Sequence, residues 1–326
     1  MISRRSITPA MDETRVQYLL LHLGVPSAIQ PEGKGPLHEA KQAAASCGFV
    51  LRTVRVATTE YDSGMLQYLF RDPDHSRVDA EATRFAEDFL YSASAIYGPR
   101  LLADADSVIF RIPSEFIGRK KKLQSEHLVA IDGLRDRDDS CISFPGITLG
   151  PVGYIPAQIV EAAWRMVPAL YQNENLHRAA VFLDSSQNRF YVAPGEIGDL
   201  LAEPNLTAPN SKVQDDWETA LHAAFKSVEA VVGEPPNDER RFHRKLRNVG
   251  IDPRETFDLR RGTTTSGVLR DMHKARDSKS AHGGTRKSPL AIEEVYRFQL
   301  CARFVLLRAV ENVLGRPLFH TIEQEN

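Results

Sequence analysis

Apolar residues recur at helical spacing over the last third of the chain. Asp215 to Val232 puts Trp217, Leu221, Phe225, Val228 and Val232 on one stripe. Asn237 to Val249 repeats the pattern with Phe242, Leu246 and Val249 and stops at Gly250. Asp252-Pro253-Arg254-Glu255 then reads as an N-cap, a first-turn proline and a capping-box glutamate. Ser288-Pro289 opens a long closing helix in which Ile292, Tyr296, Leu300, Phe304, Leu307 and Leu314 recur until Gly315. The pattern predicts an all-α bundle.

The earlier residues predict a mixture of α and β. Phe49 to Ala57 and Ser107 to Ile112 are β-branched and predict strands. Ala179 to Leu183 and Arg189 to Ala193, separated by Asp184-Ser185-Ser186-Gln187-Asn188, predict a hairpin. Val78, Ala82, Phe85, Phe89, Ala93 and Ile96 mark an amphipathic helix ending at Gly98-Pro99. A second helix follows Pro156 through Ile159, Ala163, Trp164 and Val167, with Pro168 bending or ending it. The turn-rich run from Ala202 to Asn210 marks a linker. The expected organisation is an α+β domain over 1–203, a linker over 204–212 and an all-α helical-bundle domain over 213–326.

Composition places the chain among ordinary globular proteins, with 42% hydrophobic and 26% charged residues over 326 positions. Three widely separated cysteines, Cys47, Cys141 and Cys301, form neither a disulfide framework nor a zinc pattern. A reducing cytoplasm is the expected location. Ser3-Arg4-Arg5 has the arginine pair of a twin-arginine signal, but Asp12, Glu13 and Arg15 follow, and the apolar run Tyr18 to Leu23 contains His22. Neither a signal peptide nor a membrane span is expected. Charge is distributed unevenly. Arg240 to Lys287 holds 14 Lys/Arg against 5 Asp/Glu, a net +9, and with the whole chain at −2 the remainder carries −11. Such asymmetry points to a polyanionic partner. No aromatic-rich surface accompanies it, so stacking of unpaired bases is not indicated.

The chemistry is concentrated in Met272-His273-Lys274-Ala275-Arg276-Asp277-Ser278-Lys279-Ser280-Ala281-His282-Gly283-Gly284. Arg276 offers a permanent forked cation suited to phosphate. His282 exchanges a proton near neutral pH. On a straight helix, six residues would leave the two side chains about 120° apart and about 9 Å apart along the axis. Gly283-Gly284 predicts that the helix ends near His282, so a turn there can bring the imidazole back toward the guanidinium. Lys274, Lys279, Arg286 and Lys287 surround the pair as candidate RNA-binding cations. Positive charges near His282 disfavour the imidazolium.

Other near-motifs carry less. Gly262-Thr263-Thr264-Thr265-Ser266-Gly267 has the glycine spacing of a phosphate loop, but Val268-Leu269 replace its Lys-Ser/Thr, and a capped helix start is expected. Asp104-Ala105-Asp106 predicts a turn, Asp136, Asp138 and Asp139 a solvated loop, and Arg119-Lys120-Lys121-Lys122 an exposed helix start. His243, His273 and His282 have no zinc spacing, so neither metal nor cofactor is expected.

An amphipathic helix with an internal glutamate (Glu229), a basic helix, the segment R-D-S-K-S-A-H-G and a long closing helix follow one another in this order. Over Asp215 to Arg316 this resembles the HEPN superfamily, especially its Apea-like branch, whose motif is an arginine, usually followed by a polar residue, with a histidine a few residues beyond. Arg276, Asp277 and His282 fit that motif. The resemblance implies a metal-independent endoribonuclease of a bacterial stress or antiphage defence system, or a non-catalytic module that binds RNA or a nucleotide or mediates assembly. In the catalytic case His282 takes one proton-transfer role, Arg276 holds the phosphate and Asp277 orients a neighbour. One histidine per motif leaves a second proton carrier to be found. His273, three residues from Arg276, is one possibility. A two-fold homodimer that joins two motifs in one basic cleft, as the resemblance implies, is the other.

Overall fold

The computed structural model describes residues 14–22, 34–55, 62–70, 75–98, 107–111, 129–130, 157–192, 206–234, 238–258, 262–276 and 290–319. The described part is mostly helical, with eight helices and two sheets. Two compact units emerge. One comprises Met1–Ala86 and Ala105–Gly153, the other Glu87–Asp104 and Tyr154–Asn326.

The first unit is built on a five-stranded antiparallel sheet of β1 (Thr14–His22), β2 (Phe49–Arg55), β3 (Asp62–Phe70), β4 (Ser107–Arg111) and β5 (Val129–Ala130), in the order β2-β3-β1-β4-β5. β2 and β4 lie where the β-branched runs predict strands. The run Tyr18 to Leu23 falls largely in β1, with Leu19 opposite Met65 on one side and Phe110 on the other. Helix α1 (Lys34–Ser46) buries Ala40, Ala43 and Ala44 and leads into β2, where Phe49 and Leu51 are buried and Val50 is exposed. That alternation is the period of a strand with one covered face. Phe49 packs on Phe85, ring centroids 4.9 Å apart. Phe85 belongs to α2 (His75–Ile96), whose residues to Ala86 count with this unit and whose later residues count with the second.

The second unit is a helical bundle around one apolar core. Its members are the end of α2, α3 (Ala157–Gln172), α4 (Glu174–Arg189), α5 (Ser211–Val232), α6 (Glu239–Asn248), α7 (Thr265–Ala275) and α8 (Ile292–Leu314). Phe89 stacks on Trp164 at 4.0 Å. Pro168 does not end α3, which runs on to Gln172. α4 and α5 share the most extensive helix–helix contact. Ala179, Ala180, Ala220 and Ala224, all fully buried, let the two backbones approach. Ser186 Oγ donates to Ala220 O at 2.6 Å, and Ser227 Oγ donates to Ala179 O at 2.8 Å. Gln299 on α8 donates to Ser186 Oγ and to Phe190 O, both at 2.9 Å. Each such buried bond contributes about 1 kcal/mol net, and leaving one partner unpaired costs more.

Three expectations are corrected. Residues 179–192 are not a hairpin, because α4 runs through them as far as Arg189. Asn173 caps it, accepting from Asn175 N and Leu176 N, and Leu176, Ala179, Ala180 and Leu183 are buried at helical spacing. The polar run that reads as a turn is helical because Asp184, Ser186 and Asn188 find partners: Asp184 accepts from Ser94 Oγ and Asn188 Nδ2, and Ser186 reaches α5. Consequently the boundary at 204–212 does not separate compact units, since α3 and α4 pack with α5 and α8. Within that run, Ile292 N donates to Leu206 O at 2.9 Å and Asn210 caps α5. Finally, Asp252-Pro253-Arg254-Glu255 opens no helix. Asp252 accepts from Arg254 N within a turn, and β6 (Thr256–Asp258) follows, paired with β7 (Thr263–Thr264). Glu255 O accepts from Thr265 N at 2.9 Å, so the turn clasps the start of α7.

Other boundaries match the sequence. α5 ends at Val232, α6 stops before Gly250 (φ 80°), and α8 ends at Gly315 (φ 64°), a left-handed position that glycine occupies without a Cβ penalty. Thr264 caps α7 through Gly267 N, which bears out the capped start read from Gly262 to Gly267. The readings at Asp104 and Asp106, at Arg119 to Lys122 and at Asp136, Asp138 and Asp139 lie outside the described residues.

Candidate functional site

α5 and α7 bring the site together. Phe225 and Glu229 are four residues apart on α5 and therefore share a face. His273 and Arg276 are three apart at the end of α7. Arg276 is the C-cap residue of α7, its N–H donating to His273 O and Met272 O. α7 is described to Ala275 with Arg276 as its C-cap, and His282, where the helix is expected to end, lies outside the described residues.

Arg276 meets three groups. Nη1 donates to Glu229 Oε1 at 3.3 Å. Cζ lies 4.2 Å from the centre of the Phe225 ring, a cation–π arrangement worth about 0.5–2 kcal/mol. Nη2 lies 3.5 Å from His273 Nε2. A guanidinium only donates, so this contact fits a neutral imidazole turning its Nε2 lone pair to Arg276. His273 also stands edge-on to Phe225, centroids 5.5 Å apart. The Arg276 and Glu229 side chains are 24% and 30% exposed, so the pair is within reach of a solute but not fully solvated. Burial raises the Glu229 carboxyl above the usual carboxylate range; the Arg276 guanidinium opposes this, Glu234 adds to it, and His273 and Lys226 oppose it.

Among the candidates read from sequence, Arg276 and Lys274 are described. Arg276 is partly buried at the site, and Lys274 is exposed on α7. Asp277, Lys279, His282, Arg286 and Lys287 lie outside the described residues, as does Gly283-Gly284. Glu229 was a landmark in the sequence and becomes the partner of Arg276. His273 joins the site as well; its spacing of three from Arg276 was the available signal, since such residues are neighbours on a helix surface. No pattern in the sequence singled out Phe225 from the other core aromatics.

The arrangement offers a fixed cation for an anionic group, an imidazole beside it and a carboxylate that orients the cation. Among the described residues no cluster of three or more His, Cys, Asp or Glu is placed to hold a metal ion. No described helix is long and apolar enough to cross a membrane. An open groove of about 490 Å³ lies elsewhere in the unit, lined by Phe182 and Ser185 on α4 and by Asp215, Glu218, His222 and Lys226 on α5, among others. It contains none of the candidates read from sequence. No family model, no curated protein and no solved structure matches this chain.

Proposed function

We propose that the protein is a metal-independent endoribonuclease in which Arg276 holds the scissile phosphate and histidines move the protons. The observation that carries this reading is the meeting of Arg276 and His273 at 3.5 Å beside Glu229. In the reaction the ribose 2′-oxygen attacks the adjacent phosphorus, a P–O bond forms, and the bond to the 5′-oxygen breaks. The products are a 2′,3′-cyclic phosphate and a 5′-hydroxyl. One group takes the 2′-hydroxyl proton, another delivers a proton to the leaving oxygen, and a cation stabilises the charge developing on the phosphoryl oxygens. His273 and His282 divide the proton transfers, Arg276 supplies the cation, and Glu229 is a positioning residue. Asp277 keeps the orienting role implied by the family resemblance, and Lys274, Lys279, Arg286 and Lys287 hold the flanking strand. The HEPN resemblance supports a role in bacterial stress or antiphage defence.

The second reading is a non-catalytic module that binds RNA or a nucleotide, and one observation favours it. The Arg276 guanidinium is already engaged by Glu229 and Phe225, as in a structural contact.

Cleavage of a labelled RNA by wild type, His273→Ala, His282→Ala and Arg276→Ala in excess EDTA decides between them. The enzyme reading expects losses of at least about 100-fold in each variant with the fold retained by circular dichroism. Binding without cleavage in wild type establishes the module.

A further inference from the structure

We infer that the exposed face of α6 is a docking surface for the sugar-phosphate backbone of an RNA duplex. This rests on the reading of the protein as RNA-acting, and it extends the contact to residues outside the Arg276 motif.

The first argument is geometric. α6 carries five Lys/Arg and one Glu in ten residues, with Phe242 and Leu246 buried beneath it. At about 100° per residue, Arg240, Arg241, Arg244 and Arg247 fall within an arc of about 120° opposite the buried pair. All four are exposed.

Charge pairing is the second argument. Six arginines elsewhere have a carboxylate partner: Arg77 with Glu81, Arg165 with Glu161, Arg189 with Asp216, Arg276 with Glu229, Arg297 with Asp271, and Arg308 with Glu255 and Glu311. Among the described residues, none of the four on α6 has one. The only acid of the helix, Glu239, lies 3.6 Å from His243 instead. Like charges three and four residues apart cost a helix a few tenths of a kcal/mol each. α6 withstands this because Asp238 caps it, Phe242 and Leu246 anchor it, and Arg270 of α7 lies over the Phe242 ring. The anchoring requires none of the four arginines, so their concentration is a property of the surface and not of the packing.

Chemistry selects the occupant. Guanidinium forks match phosphate oxygens. The rise from Arg240 to Arg247 is about 10 Å, enough to span a few phosphates of one strand. The arc holds no aromatic side chain for stacking unpaired bases and no apolar side chain for insertion into a bilayer. A regular, doubly stranded backbone is the polyanion that such a rigid cationic row fits. The face also shares its scaffold with the site. Lys245 donates to Glu234 O at 3.0 Å, just beyond the end of α5, the helix whose Glu229 holds Arg276.

The test is fluorescence anisotropy with a labelled 20-base-pair RNA duplex of mixed sequence over a salt series. Wild type is compared with Arg240→Gln/Arg244→Gln and with Arg276→Ala, and circular dichroism checks helicity. The α6 double variant should bind about tenfold more weakly at low salt, with a log–log salt slope shallower by about 1.5, because each lost phosphate contact removes 0.7–0.9. Arg241→Gln/Arg247→Gln, on the same arc, should behave likewise. Wild-type affinity and slope in both double variants overturn the surface. So does tighter binding of a single-stranded RNA of equal length, or binding to phosphatidylserine vesicles and not to duplex. If Arg276→Ala abolishes cleavage while the α6 variants bind normally, only the surface fails. If wild type neither binds nor cleaves RNA, the surface and the proposed function fall together.

Discussion

Arg276, the residue that caps α7, is gripped by Glu229 of α5 at 3.3 Å, across 47 residues of chain. The pair joins two helices at the point where the sequence places its candidate chemistry, and it restrains how freely the guanidinium can turn.

The titration of Glu229 is therefore measurable as stability. Burial raises its pKa in the folded protein, and Arg276 only partly opposes this. The native state thus holds this proton more tightly than the unfolded chain does. The contribution to stability is complete below the unfolded carboxylate pKa and is lost as pH rises through the higher native value. Glu229→Gln does not titrate. Denaturant unfolding across that window should show the variant gaining stability relative to wild type as pH rises. A difference that stays constant with pH would contradict the shift.

The proposed reaction needs no metal, because a guanidinium stabilises the phosphoryl oxygens and imidazoles carry the protons. Cleavage should persist at its full rate in excess chelator and leave 2′,3′-cyclic phosphate ends that resist 3′-end ligation until opened. Activity restored only by magnesium would refute this mechanism.

His273 changes the argument for a dimer. One histidine per motif leaves either His273 or a second chain to supply the other proton carrier, and the structure sets the His273 imidazole 3.5 Å from Arg276 within the same chain. α8 also buries Val295, Phe298, Ala302, Val305, Leu306 and Val310 in its own unit, leaving Val313 as its exposed large hydrophobic at 53%. The stripe read from sequence, Ile292, Tyr296, Leu300, Phe304, Leu307 and Leu314, is a different row of the same helix and is half-buried. Mixing Arg276→Ala with His282→Ala subunits should accordingly restore no cleavage beyond the sum of the two. Recovery on mixing would reinstate the cleft shared between two copies that the family resemblance implies.

A separate test concerns the contact between α2 and α4. His177 Nδ1 donates to the buried Asp88 carboxylate at 2.6 Å, and Tyr91 packs edge-on to His177. Burial, with Glu87, Asp184 and Asp88 nearby, pushes the Tyr91 phenol from 10.0 up to about 12. The unfolded chain releases this proton first, so the contribution is complete below pH 10 and is lost as pH rises toward 12. Tyr91→Phe should fall less steeply in stability over that interval, as followed by denaturant unfolding. Identical slopes in the two proteins would exclude Tyr91 as the group responsible.

The periodic elements were legible in the sequence. α5 and α6 follow from Trp217 and Phe242 and their helical repeats, and β2 and β4 follow from β-branched runs, because burial of one face imposes a period that local sequence must carry; α8 runs where Tyr296 and its repeats place a helix, but the face it buries is that of Val295, Phe298, Ala302, Val305 and Leu306. α4 was not legible. Asp184-Ser185-Ser186-Gln187-Asn188 resembles a turn as long as its polar groups lack partners, and those partners, Ser94 and the carbonyl of Ala220, lie 90 and 34 residues away. The capping pattern at Asp252 misled for a related reason: its local signal is genuine, but Glu255 is taken up by Thr265 and Arg308.

The sequence by itself determined the cation. Arg276 is charged whatever surrounds it, and its spacing to His282 and the basic character of residues 240–287 can be read from the chain alone. Only the tertiary structure decided its company. Glu229, Phe225 and His273 meet Arg276 because α5 and α7 pack in one bundle, and the distance between groups 47 residues apart is set by how the core closes, not by any local pattern along the chain.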